Sequence, residues 1–236
     1  MKQQPANLII RQESAEDYDA IYALTEAAFA GTEHCDGDEQ ELPGRLRKRA
    51  GFIPELSLVA QLDGRLVGHI LFTKITIGEQ AALCLGPLSV LPEFQSKGIG
   101  GALVEAGHAA AQALGFGVCV LVGHAQYYPR FGYEPIRGHG ITFPIETPDE
   151  CNMVKFLSEG GKAVRGMAIF PPELTPPPEP PTKAELEQSL AAIASLLSKC
   201  EKAQLKLEAG TAQHTLMRNR VRALQISKAL IEKELR

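Results

Sequence analysis

Residues Gln95-Ser96-Lys97-Gly98-Ile99-Gly100-Gly101-Ala102 constrain this chain more than any other stretch. They form a glycine-rich turn that follows an apolar run, Leu83 to Leu91, and opens straight into a helical pattern from Ala102 to Leu114. Residues without a Cβ reach backbone angles closed to others, so consecutive N–H groups can converge on an anion at the positive end of a helix. Lys97 adds a charge to those donors. The stretch reads as a phosphate cradle.

Spacing excludes two common phosphate loops. A Walker loop needs Lys-Ser or Lys-Thr after its last glycine, whereas Gly101 is followed by Ala102-Leu103. A dinucleotide fingerprint needs a third small residue where Leu103 stands. What remains is Gln-x-x-Gly-x-Gly after a strand. Downstream, the apolar run Val118 to Val122 precedes Tyr127-Tyr128-Pro129-Arg130-Phe131-Gly132-Tyr133-Glu134-Pro135.

Together these two segments resemble the GNAT superfamily of N-acyltransferases. That family pairs a coenzyme A diphosphate loop (Gln or Arg, two residues, Gly, one residue, Gly or Ala) with an aromatic-Tyr pair and a Phe-Gly-aromatic turn. Ile9-Ile10-Arg11 with Glu16-Asp17 is similar to the family's first strand and helix start. Ala82 to Glu93 and the Tyr-Tyr-x-Arg-Phe-Gly wording resemble its YhbS-like branch. The resemblance covers about residues 7 to 170 and implies an α/β (α+β) fold, a mixed, mostly antiparallel sheet flanked by helices.

The resemblance also implies chemistry. Acetyl-CoA is the expected co-substrate, with Gln95, Ser96, Lys97, Gly98, Ile99, Gly100, Gly101 and Ala102 holding its diphosphate. Gly86-Pro87 inside the third strand marks a bulge or a lost ladder bond. In the family that strand splays, and the pantetheine arm bonds in the gap to main-chain groups, here those of Leu88, Ser89 and Val90. Tyr128 matches the tyrosine beside the thioester sulfur and is the expected catalytic acid, since a phenol keeps its proton at pH 7. Adjacent Tyr127 reads as a packed aromatic. A main-chain N–H near Ser89 or Val90 would polarise the carbonyl. Many relatives carry a carboxylate base on this strand, which here offers Cys84, Gly86 and Ser89, so deprotonation relayed by water is expected. Glu33, His69, His124 and Glu93 are available relays, and none is assigned. The segments Gly31 to Leu42 and Arg137 to Pro148 should border the acceptor.

The expected reaction is direct acetyl transfer to a primary amine in a ternary complex. The same loop would serve a catalytically silent acyl-CoA sensor that presents the tail to a protein or RNA partner, and turnover separates the two.

Local patterns fill in the elements. Ser14 and Asp17 make a capping-box start, followed by Ile21, Leu24, Ala28 and Phe29 at helical spacing. A second helix falls near 41–50. Leu56 to Leu62 and Leu66 to Ile77 read as strands joined by the hairpin signal Asp63-Gly64. A helix over 100–115, strands over 118–122, 133–136, 141–145, 152–157 and 164–170, and a short helix over 126–131 complete the domain. From Pro171 to Pro181 the composition turns to proline, which reads as a stiff polyproline-II spacer. The divisions expected are a domain at 1–170, a linker at 171–182 and an antiparallel helical hairpin at 183–236.

The hairpin rests on two heptad seams. Leu186, Leu190, Ile193, Leu197, Cys200, Gln204 and Leu207 form one, and Met217, Val221, Leu224, Lys228, Ile231 and Leu235 the other. Glu208-Ala209-Gly210-Thr211 supplies the turn between them, and Lys228 must snorkel. Two helices make a thin core, so the tail docks on the domain, pairs with a second copy as a homodimer, or holds a protein partner. It carries ten Lys and Arg against six Asp and Glu, whereas the rest carries fourteen against twenty-two. Arg218, Arg220 and Arg222 point to different sides of a helix, which suits a solvated face better than nucleic acid.

Five scattered cysteines without a Cys-x-x-Cys pair indicate reduced thiols and no metal site. Cys35, between His34 and Asp36, lacks a distant ligand partner. Met-Lys-Gln-Gln-Pro has no signal-peptide core and no run is long enough to span a bilayer, so no membrane association and a cytoplasmic location are expected.

Overall fold

The computed structural model describes residues 5, 7–31, 37–145, 147–174, 181–205, 207 and 211–235. The chain divides into two compact units, Met1–Pro177 and Pro178–Arg236.

In the first unit, strand β1 (Leu8–Gln12) leads into helix α1 (Tyr18–Phe29) through Ser14, whose N–H donates to the Asp17 carboxylate at 2.7 Å. Arg11 grips the same carboxylate through both Nη atoms at 2.7 and 2.8 Å. After α2 (Leu42–Arg47) come β2 (Ser57–Leu62) and β3 (Arg65–Ile77). Asp63 and Gly64 turn between them with φ of 49° and 82°, the left-handed pair that matches strand twist in a two-residue hairpin. β4 (Gln80–Val90), α3 (Ile99–Ala113) and β5 (Val118–Val122) follow. The short strands β6 (Glu134–Pro135) and β7 (Ile141–Thr142) precede β8 (Asn152–Phe156) and β9 (Gly166–Ile169).

The main sheet runs β1-β2-β3-β4-β5-β8-β6. β3 outruns β2, and its free end, Thr76 and Ile77, takes β9, which in turn pairs β7. The described pairings are antiparallel except β4 with β5 and β7 with β9. Under α3 the sheet buries Ile70, Phe72, Leu83, Leu85 and Leu121 against Leu103 of the helix. The opposite face buries Ile75, Ile77, Val118, Val120 and Val154. Gly107 lets α3 approach closely, because a Cβ there would lie 2.1 Å from Phe72 Cε2.

Two expectations need correction. The strand expected over 141–145 stops at Thr142, and Phe143 leaves the ladder to pack edge-on against Phe170, ring centroids 5.1 Å apart. Pro172–Leu174, assigned by composition to the spacer, is a 3-10 turn. Glu173 pairs with Arg49 there, and Leu174 packs on the second core cluster. Residues 175–180 lie outside the described residues.

In the second unit, α4 (Lys183–Gln204) and α5 (Ala212–Glu234) pack together, the start of α4 beside the end of α5 around a cleft bounded by Leu186, Leu230 and Leu235. Thr182 and Glu185 form a reciprocal cap on α4, and Thr211 accepts from the His214 N–H to cap α5. Leu197, Cys200 and Val221 are buried, with Met217 and Leu224 against them. Lys228 is half-buried and turns its head to Glu232 at 3.7 Å. The expected turn residues Glu208, Ala209 and Gly210 lie outside the described residues.

Candidate active site

β4 and β5 form a fork. They pair only at Leu83 with Cys119 and Cys84 with Val120, after which β4 continues to Val90 on β3 without β5. The cause is in β4. Its register on β3 passes from Phe72–Leu85 to Ile70–Leu88, so Gly86 and Pro87, joined by a cis peptide, stand against one residue, Leu71. Such a bulge bends the strand away from its neighbour.

Beyond the bulge the Leu91 N–H donates to the Val67 carbonyl at 3.0 Å. Main-chain groups alternate in direction along a strand, so those of Ser89 also face β3, and those of Leu88 and Val90 face the open side of the fork. Of the three residues expected to line the gap with main-chain groups, Ser89 is therefore the exception. Its hydroxyl is buried and donates to Thr25 Oγ1 at 3.3 Å. Gln95 is also reassigned. Its Nε2 donates to the Val90 carbonyl at 3.1 Å and ties the loop to the end of β4.

The loop continues with Ser96 at φ 60° and Gly98 at φ 84°, which caps α3. The first main-chain donor taken up inside the helix is Ala102 N–H, bonded to Gly98 O at 3.0 Å. The N–H groups of Ile99, Gly100 and Gly101 therefore point out of the helix end. Gly100 and Gly101 are helical, so backbone freedom is not what they supply. A Cβ on Gly100 would lie 2.7 Å from Tyr127 Oη, and one on Gly101 would lie 3.3 Å from Phe131 Cε1. Lys97 Nζ stands 5.0 Å from the Phe94 ring centroid.

Tyr128 closes the third side. It starts the 3-10 turn Tyr128–Phe131 and packs edge-on against Tyr127 and Tyr133, centroids 5.0 and 5.7 Å apart. A Cβ on Gly123 would lie 2.5 Å from Tyr128 Cε2, so the ring occupies the space a side chain there would need. Burial raises its phenol well above the ordinary value, with Tyr127, Cys84 and Cys119 adding to the effect, so it is protonated at pH 7. Its hydroxyl has no hydrogen-bond partner among the described residues.

The neighbouring thiols are inert. Burial pushes Cys119 up to about 12, and it raises Cys84 further. The Tyr133 hydroxyl donates to Cys119 Sγ at 3.2 Å and meets His108 Nε2 at 2.9 Å. Burial lowers His108 to about 4, so it is neutral.

The available relays are mostly occupied. His69 is fully buried, bonded to Ser57 at 3.0 Å and 3.3 Å from Glu13. Arg47 holds Glu13 through two 2.8 Å bonds, which lash α2 to the end of β1. Burial alone would raise the Glu13 carboxyl, but Arg47 and His69 outweigh it and hold it at about 2. Glu93 pairs with Arg65 at 2.8 Å. His124 is exposed beyond β5. Glu33 and Cys35 lie outside the described residues, as does most of the loop 31–42 before Gly37.

The 137–148 segment borders an open cavity of about 750 Å³ beside the start of β8, walled by Ile136, Ile141, Phe143 and Ile145. Ile136 and Ile141 belong to the same packed cluster as Cys84 and Val120, the last paired residues of the fork. Arg137 and Asp149 face each other across 3.8 Å at its rim. Among the described residues no cluster of His, Cys, Asp or Glu could hold a metal ion, and no helix is long and apolar enough to cross a membrane.

Residues 54–135, which contain the fork, the loop and Tyr128, match the family model for the acetyltransferase (GNAT) domain. The chain is 39% identical over 128 residues to the uncharacterised N-acetyltransferase YjhQ of Escherichia coli K12, covering 51% of this chain and 71% of that protein. A GNAT family acetyltransferase from Brucella melitensis, solved in complex with acetyl-CoA, superposes with a TM-score of 0.60 at 32% identity. That match covers 71% of this chain and 98% of the Brucella one. The Escherichia coli protein YhbS, solved with CoA, gives 0.64 at 25% identity over 73% of this chain and 95% of its own.

Proposed function

Because the chain belongs to the GNAT family of N-acetyltransferases, we propose that it transfers the acetyl group of acetyl-CoA directly to a primary amine, in a ternary complex without a covalent enzyme intermediate. The fork carries this reading. An unpaired strand edge at Leu88 and Val90 ends against a glycine-capped helix, which together offer an extended arm and an anionic group their donors. Two features fit the coenzyme: the left-handed Gly98 and the outward N–H groups of Ile99 to Gly101. The Brucella and YhbS structures, with acetyl-CoA and CoA, support the same occupant.

In this reading Ser96 to Gly101 bind the diphosphate, while Leu88 and Val90 bind the arm and supply the donor that polarises the thioester carbonyl. The amine nitrogen forms a bond to the acetyl carbon as the carbon–sulfur bond breaks. Tyr128 gives its proton to the departing thiolate, and the amine proton leaves through water. Tyr128 suits the role because its surroundings keep it protonated. The cavity beside the 137–148 segment is the place for the acceptor, and its apolar wall suits an amine carried on a hydrocarbon or aromatic body.

We assign the tail, 183–236, as a helical hairpin that pairs with a second copy or a protein partner, and we place the protein in the cytoplasm. Four described cysteines are free thiols, and Leu216, Ile226 and Leu230 leave α5 with apolar surface. Deletion of 183–236 followed by a mass measurement in solution tests the first point. For the enzyme, thiol release from acetyl-CoA is followed across an amine panel. Tight acetyl-CoA binding with no turnover on any amine would mean a sensor instead.

A further inference from the structure

The arginines of the first unit are almost all committed. Arg11, Arg45, Arg47, Arg49 and Arg65 pair with Asp17, Asp38, Glu13, Glu173 and Glu93. Arg137 faces Asp149, and Arg165 donates to the carbonyls of Lys162 and Val164. Arg130 differs. Its Nε donates to the Tyr127 carbonyl at 2.8 Å, and its guanidinium carbon stands 4.1 Å from the Tyr127 ring centroid and 5.5 Å from that of Phe131. Both Nη groups are left without an acceptor among the described residues.

The position of this stack gives it meaning. Tyr127 and Phe131 are the aromatic side chains that rest on Gly100 and Gly101 at the open end of α3. The guanidinium is therefore fixed on an aromatic platform beside the main-chain donors, with its planar fork free. An arginine held in this way has already lost much of the rotamer freedom that binding would otherwise cost, and its geometry matches phosphate oxygens in pairs. An acidic body needs such local cations if it is to hold a highly charged anion. Lys97 on Phe94, in the stretch that leads into α3, is a second cation held on an aromatic.

We propose that Arg130 binds a phosphate group of the coenzyme, as a preset two-pronged donor at the rim of the 96–101 cradle. The inference rests on the reading that acetyl-CoA occupies the fork. Coenzyme A carries phosphate in two places, the diphosphate and the ribose 3′-phosphate, and both present the same acceptor chemistry.

Calorimetric titration of the full chain with CoA and with 3′-dephospho-CoA, for the wild type, Arg130→Gln and Arg130→Lys at low and high salt, tests it. Arg130→Gln should weaken CoA binding about 10- to 100-fold and flatten its salt dependence, and Arg130→Lys should recover part of the loss. Unchanged binding of the dephospho form by Arg130→Gln assigns the 3′-phosphate, and equal weakening of both forms with rescue by lysine assigns the diphosphate. CoA binding by Arg130→Gln within about twofold of wild type overturns the proposal. So does a loss in Arg130→Gln that leaves the salt dependence of the wild type intact, because the guanidinium would then act only by supporting Tyr127. A wild-type chain that binds neither form would instead remove the coenzyme reading beneath it.

Discussion

Gly100 and Tyr127 are in direct apposition: a Cβ on the glycine would sit 2.7 Å from the tyrosine hydroxyl oxygen. This contact locks the 127–131 turn onto the start of α3 and so sets the width of the cradle. Gly100→Ala should cost about 1–3 kcal/mol through overpacking and loosen CoA binding. Tyr127→Phe removes the atom that clashes, so the double variant should regain most of the loss. Thermal unfolding of the four proteins checks this. Strict additivity of the two changes would mean that the glycine serves some other neighbour.

Tyr128→Phe keeps the ring that packs on Gly123, Tyr127 and Tyr133 and removes only the proton donor. The expected result is a fall in kcat of about 10²–10⁴ with acetyl-CoA affinity little changed. The wild-type pH profile carries a second signature. A phenol raised above 10.0 stays protonated through the ordinary tyrosine range, so activity that depends on it as an acid is lost only as pH rises beyond that value. An alkaline limb below pH 9 that persists in Tyr128→Phe would assign the limb to another group.

Glu13 should make the first unit acid-sensitive. Its carboxyl titrates at about 2 in the fold against 4.5 as its ordinary value, so its contribution is complete above the higher figure and is lost as pH falls toward the lower one. That contribution is on the order of 3 kcal/mol. Asp17, held low first by its bond from Arg11, acts in the same direction. Glu13→Gln leaves Arg47 buried without its charge partner, which should cost about 3 kcal/mol at pH 7 and flatten the acid limb. Urea unfolding at a series of pH values would show an unaltered slope between pH 5 and 2 if Glu13 were irrelevant.

Much of this arrangement is legible in the residues themselves where the determinant is local. Asp63-Gly64 announces its hairpin, Gly86-Pro87 announces the bulge, and the heptad positions from Leu186 to Leu235 all fall on the half-buried or buried side of α4 and α5 where they are described. What escapes the sequence depends on distant contacts. Gly100 and Gly101 look like conformational glycines until the aromatic turn closes over them. Ser89 is indistinguishable from its neighbours until the Leu91–Val67 bond fixes which way the strand's main chain faces. Gln95 looks like an anion ligand but bonds back to Val90. Pro172–Leu174 reads as spacer because the Arg49 that anchors it lies far away in sequence.

The second unit should be easy to melt by one substitution in its seam. Only Leu197, Cys200 and Val221 are buried there among the described residues, and two helices held by so few side chains are marginal. Val221→Asp places a carboxylate among them and should abolish the pairing, seen as lost helical circular dichroism and faster proteolysis after Lys199 and Lys202. Leu216→Asp is the control. That side chain is 64% exposed, so the same charge there should leave helicity unchanged. Equal effects from the two variants would mean that the seam through Val221 is not what holds α4 to α5.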